Sequence, residues 1–153
     1  MKSFLTVVIA SFLVLAHSSA AIYHVDSRTG DDARTGLGPD DAWRSLEKAN
    51  ATMLKPGDQL LFKAGGRWSG QLKPIGGGNQ SGLVTIGSYG EGPLPRIDGE
   101  GRFRDTVLLR NISFVEIKDL EITNRGANTA PWRTGVKVSA EGIGKMERIY
   151  LRR

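Results

Sequence analysis

The sequence has 153 residues and no cysteine, so it can hold one domain with a hydrophobic core, while disulfides, thiolate metal sites and a cysteine nucleophile are excluded. Hydrophobic residues make up 39% and charged residues 24% of the chain, which is typical of a folded protein rather than a disordered one. The formal net charge of +5 suits an acidic partner such as a uronate polysaccharide, although the same charge could serve solubility alone.

The N-terminus reads MKSFLTVVIASFLVLAHSSAA. Lys2 provides a positive charge, an apolar run of about 13 residues follows, and small residues precede a cleavage point, which together predict a secretory signal peptide over residues 1–20. The apolar run is shorter than the roughly 20 residues that a membrane-spanning helix needs. The mature protein is therefore expected to be secreted, either periplasmic or extracellular, and to have no membrane attachment after cleavage.

Residues 21–66 are predicted to form a strand, a polar loop, a helix and a second strand. The helix is indicated by apolar residues at helical spacing, namely Trp43, Leu46, Ala49 and Met53. Asp41 is a fair N-cap and the KPG sequence after Leu54 is a stop signal, so the helix is predicted from Ala42 to Leu54. The second strand is predicted over Gln59–Lys63.

Residues 67–153 show short apolar runs separated by glycine, asparagine and proline. The pattern of Val84 and Ile86 recurs at Val115 and Ile117, and again at Ile149 and Leu151, at spacings of 31 and 34 residues. Repeats of this length are typical of solenoid proteins, in which each coil packs on the previous one. We therefore predict coils of parallel strands, with the helix as a cap over one end.

The stretch NISFVEIKDLEITN, which begins at Asn111, contains a change of phase. Apolar residues alternate up to Ile117, but the next one is Leu120, three positions later. In a continuous strand this would place Leu120 on the opposite face. A corner at Lys118 and Asp119 would let both halves face one interior, as a solenoid requires. The rival fold, an antiparallel β-sandwich, does not call for such a phase change.

Four stretches also carry a family resemblance: IYHVDSRTGDDARTG, AWRSLEKAN, LKPGDQLLFKAGGRWSGQL and LVTIGSYGEGPLPRIDG. In this order and spacing they resemble the N-terminal region of secreted right-handed parallel β-helix proteins of the pectate-lyase-like superfamily, in particular polysaccharide lyases of the chondroitinase-B and alginate-lyase type. The resemblance covers Ile22–Leu151. It implies an all-β fold, a right-handed parallel β-helix with an N-terminal capping helix that is truncated at its C-terminus, with its first coils in residues 67–153.

This resemblance implies the N-terminal part of a protein that acts on acidic extracellular polysaccharide, with β-elimination by a lyase as the leading hypothesis. A non-catalytic carbohydrate-binding or surface β-helix and a glycoside hydrolase on the same fold remain alternatives. The chain alone is expected to lack the full catalytic set, so no catalytic residue is assigned. No metal ligand set or cofactor is evident with two histidines, although the full-length protein could use Ca²⁺. No nucleic-acid-binding module is found.

The loop NRGANTAPWRTG, residues 124–135, is the leading candidate for binding, since long loops often carry function. An exposed Trp132 could stack on a sugar ring, and Arg133 could pair with a carboxylate. Arg125 and Lys137 flank the loop and add positive charge. The alternative is that Trp132 folds down to cover the coil.

Two other polar features have structural explanations. The acid pairs Asp31-Asp32 and Asp40-Asp41 lie among turn residues and are predicted to form turns and helix caps. A polar stripe of outward-facing residues is predicted near the corner, formed by Glu116, Lys118, Glu121 and Thr123. Such a stripe is more often a solvated face than a surface that binds sugar.

Overall fold

A computed structural model describes residues 19–128 and 130–153 of the chain. The predicted signal peptide, residues 1–20, therefore lies almost entirely outside the described residues. Within the described ranges, no helix is both long enough and apolar enough to cross a membrane.

The described part of the chain consists mainly of β-strands, which confirms the all-β prediction. In this part of the chain one α-helix, α1, spans Leu46–Ala51, and one 3-10 turn spans Pro39–Asp41. The strands in chain order are β1 (Ile22–Val25), β2 (Met53–Leu54), β3 (Gln59–Lys63), β4 (Arg67–Ser69), β5 (Ile75–Gly76), β6 (Val84–Tyr89), β7 (Arg96–Asp98), β8 (Asp105–Arg110), β9 (Val115–Lys118), β10 (Glu121–Thr123), β11 (Thr134–Ser139) and β12 (Ile149–Arg152).

The strands form four parallel sheets. The longest has the order β1-β3-β6-β9-β12, and the others have the orders β10-β7-β4, β11-β8 and β2-β5. The chain leaves the five-stranded sheet after each of β3, β6 and β9, visits the other sheets, and returns to pair in parallel with the strand it left. Consecutive passes of the chain therefore lie on one another.

The strand register confirms the predicted repeat. Val84 is paired with Val115, and Val115 with Ile149. In the adjacent inward-facing row, Ile86 is paired with Ile117. The side chains of Val84, Ile86, Val115 and Ile117 are buried, so the repeated apolar pairs form continuous rows in the core.

The predicted corner is present between β9 and β10. Asp119 has a φ of 54°, a left-handed conformation that Asp tolerates better than most residues because its short side chain can hydrogen-bond locally. Leu120 and Ile122 pack against the core cluster that contains Val115 and Ile117. The left-handed conformation of Asp119 turns the chain at this corner, so that the apolar residues on both sides face the same interior. This explains the change of phase.

The predicted helix was too long at both ends. Trp43 forms a parallel bridge with Val25, and this extended backbone prevents the helix from beginning at Ala42. The N-cap is Ser45, whose side chain accepts a hydrogen bond from the Lys48 amide, and not Asp41. At the other end, Met53–Leu54 forms β2, which pairs with β5.

The core is a single cluster of buried residues that includes contributions from both predicted segments, 21–66 and 67–153. Trp43 stacks on Tyr23 with ring centroids 4.8 Å apart, and Trp68 packs edge-on against Phe62. The indole nitrogen of Trp68 donates to the carbonyl of Arg44, just before α1. These contacts tie the first segment to the stacked strands.

Candidate functional site

The side chain of Asn124, the first residue of the candidate loop, anchors the loop by hydrogen bonds. This loop connects β10 to β11. Oδ1 of Asn124 accepts a hydrogen bond from the Gly101 amide at 3.1 Å. Its Nδ2 lies within 3.0 to 3.1 Å of the carbonyl oxygens of Phe103, Arg104 and Thr134. One side chain therefore joins the start of the loop to its end and to the segment between β7 and β8.

A cleft of about 620 Å³ lies beside this loop. The described residues that line it are Asn124, Arg125, Gly126, Asn128, Ala130, Pro131 and Arg133. Its volume is within the range of roughly 300–1,000 Å³ that is usual for ligand sites. No carboxylate is found among these lining residues, so this part of the cleft does not supply the two acids that glycoside hydrolysis requires.

Trp132 lies in sequence between two residues that line the cleft, Pro131 and Arg133, and its side chain is 52% exposed. The structure therefore shows an exposed indole and not one that is folded down as a cover. The guanidinium carbon of Arg133 lies 5.5 Å from the centroid of its ring, within the range of a cation–π contact. An exposed indole held beside a cation has the chemistry to stack on a sugar ring.

Arg133 is directed into the loop. Its Nη1 donates to the carbonyl of Asn128, and its guanidinium packs so closely on Gly126 that a methyl group on this glycine would lie 2.5 Å from Nη1. Its Nε is buried and has no hydrogen-bond partner among the described residues. Arg133 thus supports the loop from inside, and a role in direct sugar contact remains a prediction.

The other two predicted residues differ in position. Arg125 is exposed and lines the cleft. Lys137 lies in β11, paired with Leu108 of β8, and is not among the described lining residues. The structure therefore brings Arg125 and Arg133 to one cleft with Trp132 beside them, and it places Lys137 on the neighbouring strand.

A buried carboxylate that sequence reasoning missed lies at the base of the loop. Asp105 begins β8, is 4% exposed, and accepts a 2.6 Å hydrogen bond from the Thr134 hydroxyl at the start of β11. Its carbonyl also accepts a hydrogen bond from Gln71. The only sequence signal was an acid at the start of an apolar strand, which by itself indicates no particular role.

The acid pairs near the N-terminus lie in turns, as predicted: Asp40 and Asp41 are in the 3-10 turn, and Oδ1 of Asp31 accepts a hydrogen bond from the Ala33 amide. The predicted role as helix caps was wrong for α1, whose N-cap is Ser45. Oδ1 of Asp32 accepts hydrogen bonds from the amides of Arg44 and Ser45. Burial opposes ionisation of this carboxyl, but the hydrogen bonds from Ser45 and Arg44 outweigh it and hold its pKa below the usual value. Among residues 19–128 and 130–153, no group of three or more histidine or acidic side chains is arranged to hold a metal ion.

Comparisons with known proteins point to glycoside hydrolases. No protein-family model matches the chain. The chain is 31% identical over 138 residues to a lacto-N-biosidase of Bifidobacterium longum, an alignment that covers 72% of this chain and 9% of that protein. It is 32% identical over 65 residues to an alpha-1,3-galactosidase A of Akkermansia muciniphila, over 42% of this chain and 11% of that protein.

Solved structures give the same result. The chain matches the GH136 lacto-N-biosidase of Eubacterium ramulus with a TM-score of 0.77 and 29% identity for the selenomethionine derivative, and with 0.74 and 27% for the native protein. These alignments cover 86% and 87% of this chain but 26% of the enzyme. The predicted relationship to pectate-lyase-like polysaccharide lyases was therefore wrong, because the solved structures that this chain matches are of a GH136 lacto-N-biosidase, which is a glycoside hydrolase. The two curated proteins that it matches are a lacto-N-biosidase and an alpha-1,3-galactosidase.

Proposed function

We propose that this chain belongs to a secreted glycoside hydrolase that cleaves oligosaccharides, with a specificity related to that of lacto-N-biosidases. The observation that carries this proposal is the 31% identity over 138 residues to the Bifidobacterium longum enzyme. The similarity to the Eubacterium ramulus lacto-N-biosidase, at 29% identity and a TM-score of 0.77, supports it. Secretion is proposed because the sequence of residues 1–20 predicts a signal peptide.

We further propose that the architecture is a right-handed parallel β-helix. The parallel pairing of β3, β6, β9 and β12 in one sheet supports a coiled path. Crossover connections between parallel strands of one sheet are right-handed in about 98% of cases, which supports the handedness.

In this proposal, the loop between β10 and β11 contacts the glycan and catalysis takes place elsewhere. Trp132 would stack on a sugar ring, and Arg125 would donate hydrogen bonds to sugar hydroxyls in the cleft of about 620 Å³. Arg133 and Lys137 would add positive charge nearby. Hydrolysis requires two carboxylates about 5 to 10 Å apart, and the described lining of this cleft contains none.

The test uses the natural full-length protein, together with any sequence that flanks this chain. It is incubated with aryl lacto-N-bioside and aryl α-galactoside, and release of the aryl group is followed. We expect hydrolysis of the lacto-N-bioside, with new reducing ends and no unsaturated sugar. No turnover of either substrate, or unsaturated products from uronate polymers, would contradict the proposal.

A second candidate function is carbohydrate binding without cleavage. The absence of carboxylates among the described lining residues of the cleft favours it. It predicts that oligosaccharides bind to the full-length protein and are recovered intact. The same incubation separates the two functions, since only a hydrolase shortens the glycan.

A further inference from the structure

A second cleft, of about 340 Å³, lies over the outer surface of the sheet formed by β4, β7 and β10. We call it the arginine cleft, because three guanidinium groups line it, those of Arg28, Arg67 and Arg96. The lining also includes two carboxylates, Glu91 and Glu121, and the apolar Pro93. Its volume is near the lower end of the range of roughly 300–1,000 Å³ for ligand sites, which suits one sugar residue with a substituent.

The strand register sets the spacing of the charges. Arg67, Arg96 and Glu121 are the first residues of their strands and are directly paired. The next residues, Trp68 and Ile97, are buried, so the charged side chains project outward from the sheet. Because neighbouring strands lie about 4.8 Å apart, the three groups form a short ladder along the cleft.

Two groups of this ladder, Arg96 and Glu121, neutralise each other. Nη2 of Arg96 donates to Oε1 of Glu121 at 2.6 Å. This hydrogen bond raises the pKa of Arg96 and lowers that of Glu121, and the charge of Arg67 lowers the latter further. Nε of Arg96 is buried and has no hydrogen-bond partner among the described residues.

The remaining charges leave a cationic surplus. Arg28 donates to the carbonyl of Gly65 at 3.0 Å, which fixes its head at the cleft without neutralising it. The exposed guanidinium of Arg67 makes no ion pair within residues 19–128 and 130–153. Glu91 is the second carboxylate in the lining, so within the lining the three arginines exceed the acids by one charge. Asp98, outside the lining, acts on the Arg96 and Glu121 pair, which leaves Arg67 and Arg28 as the groups available to an anion. Guanidinium groups pair with planar or tetrahedral oxyanions through two parallel hydrogen bonds.

We propose that the arginine cleft binds the anionic substituent of an acidic sugar, a carboxylate or a sulfate ester, on a glycan. Arg67 makes the principal contact, Arg28 is the second, and Pro93 provides an apolar wall. The proposal rests on the proposed function only in taking the ligand to be a glycan. It assigns to this surface a preference for acidic over neutral oligosaccharides, separate from the cleft beside Trp132.

The test measures binding of lactose, sialyllactose, sulfated lactose and inorganic sulfate to the natural full-length protein by calorimetry at low salt. We expect the two acidic sugars to bind at least about tenfold more tightly than lactose, because hydrogen bonds between charged groups are stronger than those between neutral groups. The relative affinities of the sialylated and sulfated sugars decide between a carboxylate and a sulfate ester. Inorganic sulfate that binds as tightly as sulfated lactose would overturn the assignment to a glycan.

Variants locate the site. Arg67→Ala should abolish the preference for acidic sugars, whereas Glu121→Gln, which frees Arg96, should strengthen it. Arg110→Ala is the matched control, because Arg110 is exposed and pairs with Glu141, outside the cleft. An equal loss in Arg67→Ala and Arg110→Ala, or an unchanged preference in Arg67→Ala, would overturn the proposal. Thermal unfolding verifies that each variant is folded, and hydrolysis of aryl lacto-N-bioside tests the proposed function separately.

Discussion

The guanidinium of Arg133 lies 5.5 Å from the ring centroid of Trp132 while its Nη1 donates to the carbonyl of Asn128. One side chain thus contacts both the exposed aromatic residue and the backbone of the loop that carries it. A long loop tends to be mobile because its backbone has few partners. Arg133 and Asn124 give this loop several, which would reduce the entropy lost in the proposed stacking of Trp132 on a sugar ring.

The first prediction concerns Trp132. Trp132→Ala should weaken glycan binding about 5- to 20-fold, because it removes an exposed aromatic surface from the ligand site. Thermal stability should change little, since the side chain is largely exposed. Calorimetry with a neutral oligosaccharide measures the first effect and thermal unfolding the second.

A matched control is available at Tyr150. The guanidinium of Arg152 lies 5.0 Å from the Tyr150 ring centroid, so this pair resembles Arg133 and Trp132 but is outside the loop. Tyr150→Ala should leave binding unchanged. Equal losses in the two variants would argue against a specific role for Trp132.

The second prediction concerns Gly101, beneath the loop. It has a φ of +70°, and a methyl group on it would lie 2.5 Å from the Cα of Gly126. Gly101→Ala should therefore lower the free energy of unfolding by about 2–4 kcal/mol, through a strained backbone and a clash with another backbone segment. It should also weaken glycan binding, because the clash displaces the loop.

Gly90 is a control that separates the backbone strain from the steric clash. Its φ is +75°, but no atom lies within 4 Å of the position where a methyl group would be added. Gly90→Ala should cost only the conformational part, about 1 kcal/mol, and binding should not change. Urea unfolding measures both variants. A Gly101 cost no larger than the Gly90 cost would show that the loop moves freely away from Gly101.

The third prediction concerns pH. Asp26 is buried, which opposes ionisation, but hydrogen bonds from Lys63, Thr29 and the Arg28 amide outweigh burial and hold its pKa well below the usual range. The ionised Asp26 carboxylate therefore contributes its full stabilisation above the unfolded-state pKa of about 3.9. This contribution decreases as the pH falls from that value toward the lower pKa of the folded protein.

Asp26→Asn should lower the free energy of unfolding at pH 7 by about 1–3 kcal/mol, because Lys63 and the loop amides lose a charged acceptor. The difference from the natural protein should shrink as the pH is lowered from 5 toward 2. Urea unfolding at several pH values measures it. The control is Asp40→Asn, an equal charge change at an exposed residue, which should have little effect. A difference independent of pH would contradict the assignment.

The repeat could be predicted from sequence because it depends on local alternation of apolar residues. Val84, Val115 and Ile149 lie in one row because each begins an apolar pair on a strand facing the core. The helix ends could not be predicted in this way. The bridge between Trp43 and Val25 is a tertiary contact, and it overrides the helical spacing of Trp43 and Leu46.

The candidate site was predicted only in part, for the same reason. Loop length and the pair of Trp132 and Arg133 are visible in the sequence. The close approach of Gly101 to Gly126 and the alignment of Arg67 with Arg96 depend on the packing of segments that are distant in sequence. The comparisons favour the glycoside hydrolase alternative over the lyase hypothesis, because a resemblance in fold does not determine the chemistry at a protein's surface.

The fourth prediction tests the corner between β9 and β10. Asp119 has a φ of 54°, a conformation that costs most residues roughly 1–2 kcal/mol and β-branched residues more. Asp119→Val should therefore lower the free energy of unfolding by about 1–3 kcal/mol, whereas Asp119→Asn and Asp119→Gly should be close to neutral, because both residues adopt this conformation readily. Urea unfolding compares the three variants. If valine were tolerated as well as asparagine, the chain would not need a left-handed residue at Asp119, and the explanation of the phase change would be wrong.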